Sequence, residues 1–142
     1  MAVGYLATAQ ITIDASADVV WDTLTDSDQV PQFMFGSEVV TDWQVGSTIV
    51  YRGQWNGKPF EDRGMILESR PGSRLVTTHF SPLTGQPDLP ENYHTITYDL
   101  EERDGQTTVT LTQDNNATEE EAGHSQSNWE RMLASLKWVV ED

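Results

Sequence analysis

Asp62 and His79 are the residues of this 142-residue sequence whose types best suit acid–base chemistry, since a carboxylate that orients an imidazole makes a general base. Whether they meet is a matter of strand register. Asn56-Gly57 is a type I′ turn signal, and with those two residues at the turn centre Trp55 lies opposite Lys58, Gly53 opposite Phe60, Tyr51 opposite Asp62 and Ile49 opposite Gly64. Counting on through a second reversal at Pro71-Gly72 sets Ile66 opposite Thr77 and Gly64 opposite His79 on the same face. Asp62 and His79 then become diagonal neighbours, about 7–8 Å apart at the backbone, so their side chains can touch. A structural hydrogen bond satisfies the same geometry, and both readings stay open.

A second constellation is aromatic. Phe33, Phe35, Tyr51, Trp55, Tyr98 and Trp129 would serve equally as core or as the walls of a pocket. Their polar companions favour a pocket: Tyr51, His79, Tyr98, Gln113 and Gln126 bring hydrogen-bonding groups among apolar residues such as Leu111 and Leu133, which a dry core avoids and a small-molecule site needs. No nucleophile elbow, phosphate-binding glycine loop or helical histidine pair is present, so neither cofactor nor metal is expected. His79, His94 and His124 fall on separate elements and read as ordinary hydrogen-bonding residues.

Charge narrows the partners. With 23 Asp and Glu against 8 Lys and Arg, a net charge of −15 repels nucleic-acid phosphates and anionic lipid surfaces. There is no cysteine, no basic-then-apolar leader and no apolar run long enough to span a membrane, which together suggest a cytoplasmic protein. The same composition fits a protein partner, and either a monomer or a homodimer.

The elements that must position these residues are strands, turns and one long helix. Ala7, Ala9, Ile11 and Ile13 alternate with polar residues, the two-residue period of a half-buried strand. Ser16 is a plausible N-cap for a short helix carrying Val20 and Leu24, and a second short helix follows Ser27 with Pro31 in its first turn. Asp104-Gly105 closes another hairpin, with Ile96, Tyr98 and Leu100 facing Gln113, Leu111 and Val109. Ser81–Glu91, rich in proline, reads as a surface loop. Trp129, Met132, Leu133, Leu136, Val139 and Val140 recur at helical spacing, so a helix from about Glu119 to Val140 follows the capping box Thr118/Glu121. Its stripe turns polar toward its start, at Ser125 and Gln126. This order describes a single α+β domain over residues 1–142, with two short helices after strand one and a curved antiparallel sheet of about six to seven strands around the C-terminal helix.

The segments "ADVVWDTLTDSDQVPQF", "VGS", "RGMILESRPGSRLVTT" and "NWERMLASLKWVVE" resemble the activator-of-heat-shock-ATPase-like branch of the START-like (SRPBCC) superfamily over about residues 8–141. The resemblance implies the helix-grip fold, often with a cavity between sheet and helix. His79 departs from it, standing where members often carry tryptophan. Three functions follow as expectations: a binding module for a small apolar or aromatic molecule; a cyclase- or hydrolase-like enzyme using Asp62 and His79; or an adaptor that touches a chaperone ATPase through its outer surface.

Overall fold

Alternation in the first strand sets up everything that packs on it. A computed structural model describes residues 4–142 except the side chain of Trp55. In β1, Tyr5–Ile13, the side chains of Ala7, Ala9 and Ile13 are buried while Thr8, Gln10 and Thr12 face outward. Next come α1, Ala17–Leu24, and α2, Val30–Phe33. The Ser16 hydroxyl accepts from the Val19 amide at 3.3 Å, and Pro31 sits in the first turn of α2, where its missing N–H costs nothing.

The remaining strands are β2 (Glu38–Val40), β3 (Thr48–Trp55), β4 (Lys58–Arg70), β5 (Arg74–His79), β6 (His94–Arg103) and β7 (Gln106–Asn116). They form one antiparallel seven-stranded sheet in the order β1-β7-β6-β5-β4-β3-β2. The two turns of the Asn-Gly and Asp-Gly kind have positive φ at both central residues, as type I′ geometry demands. Their registers are those expected, Tyr51 opposite Asp62 and Tyr98 opposite Leu111.

The Pro71-Gly72 reversal differs. Arg70 pairs with Arg74, so Ser73 joins the turn and the count slips by one. An irregularity between Ile66 and Glu68 takes the slip back, and Ile66 does lie opposite Thr77. The proline-rich connection from Ser81 carries two single-turn 3-10 helices, Pro82–Thr84 and Pro90–Asn92, where the sequence suggested none.

The long helix α3 spans Glu119–Glu141. Thr118 Oγ1 accepts from the Glu121 amide at 3.1 Å, and the Glu121 carboxylate accepts from the Ala117 amide at 3.0 Å, so the capping box closes one residue upstream of its usual form. Met132, Leu133 and Leu136 are fully buried against Ala9, Ile13, Val109 and Leu111 of the sheet and Leu24 and Phe33 of the short helices. Between Glu119 and Asn128 only Ala122 is buried, with Ser125 half-buried, so the grip is apolar at the C-terminal half of the helix and loose before it. No helix is long and apolar enough to cross a membrane.

Candidate functional site

Inward-facing positions on four neighbouring strands of the sheet, β6, β5, β4 and β3, put the singled-out residues on one wall. Ile49, Tyr51 and Gly53 alternate on β3; Asp62, Gly64 and Ile66 on β4; Leu75, Thr77 and His79 on β5; Ile96, Tyr98 and Leu100 on β6. Ile49, Ile66, Leu75 and Leu100 make the wall apolar at one end. At the other end polar groups replace them.

There the imidazole Nε2 of His79 lies 3.0 Å from Asp62 Oδ2. A carboxylate oxygen accepts, so Nε2–H donates, and a neutral His79 carries its lone pair on Nδ1. The pair is sheltered but not sealed, with side-chain exposures of 23% for His79 and 15% for Asp62. Asp62 Oδ1 is buried and has no hydrogen-bond partner among the described residues. The Tyr51 ring tilts toward the imidazole, with centroids 6.3 Å apart. Burial, and then the charge of Asp62, push the Tyr51 hydroxyl far above the ordinary phenol range. Burial, with Tyr51 adding to it, does the same to Tyr98. Both therefore stay protonated at neutral pH, each able to donate and to accept. Tyr98 is only 3% exposed.

From Tyr98 the row continues diagonally to Gln113 on β7, whose side-chain carbonyl accepts from the Trp129 indole N–H of α3. That bond explains how a buried glutamine and a half-buried tryptophan sit at the point where the helix stripe changes character. Leu111 and Leu133 close the floor and are fully buried.

Other candidates stand elsewhere. Phe35 is 67% exposed, because the backbone turns left-handed there (φ 55°) at the end of α2 and swings the ring into solvent; it does not line the wall. Gln126 is exposed too, since the polar first half of α3 turns outward. Phe33 belongs to the closed core beneath α3. The Trp55 side chain lies outside the described residues. His94 lies opposite His79 in the β5–β6 register but donates its Nδ1–H to the Asp114 carbonyl at 2.8 Å, and His124 is exposed beside Glu120 on α3, so the three histidines do not form one cluster. Two surface depressions lie away from the row: one beside Val40, Asp42 and Ser47, the other on the outer face of the sheet around Leu6, Leu67 and Thr97.

Sequence reasoning missed Gly64. A β-carbon there would stand 1.7 Å from the Thr78 carbonyl oxygen, so only glycine lets β4 run this close to β5 between Asp62 and His79. An isolated glycine inside a strand pattern was the available signal.

Comparison with known proteins fits this architecture. No curated protein matches the chain. The solution structure of ChR145 from Cytophaga hutchinsonii is 46% identical, with a TM-score of 0.85, and the match covers 99% of this chain and 97% of that one. The Aha1 dimer from Colwellia psychrerythraea is 24% identical with a TM-score of 0.74, over 96% of each chain. CalU16 from Micromonospora echinospora is 20% identical with a TM-score of 0.74, over 96% of this chain and 83% of its own. The last two establish likeness of fold alone. Residues 14–141 match the family described as activator of Hsp90 ATPase homolog 1-like protein, and the chain belongs to that family.

Proposed function

We propose that this protein is a cytoplasmic binding module that seats a small apolar or aromatic molecule between the sheet and α3, at the polar end of the inner wall. One observation carries the reading. Asp62 keeps one carboxylate oxygen, Oδ1, buried with no hydrogen-bond partner among the described residues, on the same wall as the phenols Tyr51 and Tyr98 and the apolar Ile66 and Leu111. Burying such an atom costs on the order of 1–3 kcal/mol when it stays unpaired, and a bound donor removes that cost. The partial exposure of Asp62 and His79 gives the route in. Trp129, hydrogen-bonded to Gln113 at the other end of the row, is the natural reporter.

The test is native mass spectrometry of protein purified without denaturation, followed by titration of the extracted molecule against indole fluorescence. A retained small molecule that returns with saturable quenching is the expected result. Leu111→Trp, which fills the floor, is expected to abolish the titration while leaving the circular dichroism spectrum in place. Protein that carries nothing and gives no saturable response to any apolar probe would leave the outer surface as the functional one.

The Asp62–His79 contact favours a second reading, a cyclase- or hydrolase-like enzyme in which His79 Nδ1 takes a proton while Asp62 holds the ring. His79→Ala separates the two. A binding module loses about 0.5–1.5 kcal/mol of affinity for one neutral hydrogen bond, whereas an enzyme loses turnover out of proportion to binding.

A further inference from the structure

The inner wall is asymmetric in charge as well as in polarity. None of the chain's eight Lys and Arg is buried. Arg52 pairs with Glu61, Arg63 with Asp88, Arg74 with Glu68 and Asp99, and Lys137 with Glu141. Lys58 and Arg103 stand exposed at hairpin turns, Arg70 pairs with Glu68, and Arg131 donates to Asn128 on the exposed face of α3. An anionic headgroup brought to the row would meet Asp62 with no fixed cation to offset it. On the acceptor side, His79 occupies Oδ2 of Asp62 and leaves Oδ1 buried without a partner among the described residues. A buried carboxylate oxygen is a strong acceptor that wants an N–H or O–H, best of all a charged one. The surrounding net charge of −15 draws cations toward the molecule and repels anions.

Resting on the binding-module reading, we infer that the site takes molecules whose apolar body carries a hydrogen-bond donor, an ammonium or a hydroxyl, and that Asp62 Oδ1 is its acceptor. Carboxylates of the same shape are excluded. Tyr51 and Tyr98, held as neutral phenols, complete the polar cradle around the donor group.

Four probes of one shape test this by isothermal titration calorimetry: 2-methylnaphthalene, 2-naphthylmethanol, 2-naphthylmethylamine and 2-naphthoate. The amine and the alcohol are expected to bind about tenfold or more tighter than the hydrocarbon, and the carboxylate weakest of all. Repeating the series in about 0.5 M salt removes attraction by the distant surface charge, and the order is expected to survive. Asp62→Asn, which keeps the shape, is expected to narrow the ratio of amine to hydrocarbon affinity by about tenfold or more. If the hydrocarbon binds but the order is absent, reversed, lost in salt or indifferent to Asp62→Asn, the donor inference is overturned and the binding module stands. If none of the four binds, the binding module fails and the inference with it.

Discussion

Gly64 shows how one missing side chain sets the geometry of two others. The Asp62 carboxylate and the His79 imidazole meet because β4 and β5 approach where a β-carbon would strike the Thr78 carbonyl. Gly64→Ala is expected to force the strands apart at a cost of about 1–3 kcal/mol, read as a lower denaturant midpoint. It should also shift the His79 imidazole signals in NMR, which a change remote from the pair would leave in place. Asp62 and His79 could be placed from the sequence because Asn56-Gly57 fixes the register of its hairpin. The need for glycine at position 64 could not, since a close approach between strands depends on both chains and leaves only a glycine in a strand as its trace. Phe35 was misread for a related reason. Residue type says that a phenyl ring prefers burial, but a left-handed backbone at the end of α2 decides where the ring points.

Elements were more legible than their joints. Period-two alternation, the Asn-Gly and Asp-Gly turns and the stripe on α3 are local signals written in consecutive residues; the turns set the registers, and the stripe and capping box gave α3 to within a residue. The turn at Pro71 and the irregularity near Leu67 are joint properties of two strands, and they cancel, so the pairing of Ile66 with Thr77 was reached through a turn of the wrong length. For α3 the apolar half carries the packing. Leu136 has no exposed surface and lies in the main core cluster, so Leu136→Asp places an unpaired charge in it. The expected loss is on the order of 3–5 kcal/mol, a large part of an ordinary domain's stability, and urea denaturation measures it. A midpoint equal to that of the unaltered protein would mean that the helix does not grip through this stripe.

At the scale of the whole molecule, charge predicts what the protein will not touch. The excess of carboxylates should prevent binding to duplex DNA or to anionic vesicles at physiological salt, checked by gel shift and by vesicle pelleting. A salt-sensitive shift would show a basic surface that the sequence does not suggest. The ends of the sheet have a consequence of a different sort. At β1 the final turns of α3 reach over the strand's open side: Lys137 donates to the Thr12 carbonyl at 3.0 Å, and Glu141 accepts from the Asp14 amide just past the strand at 2.7 Å. At the opposite end β2 offers only Glu38–Val40. An open sheet normally invites a neighbouring chain to add a strand, the first step toward runaway fibre growth. Here side chains of the gripping helix block one end of the β1 margin and the opposite margin is a three-residue strand, so the helix that holds the core also shortens the edge open to a neighbouring chain.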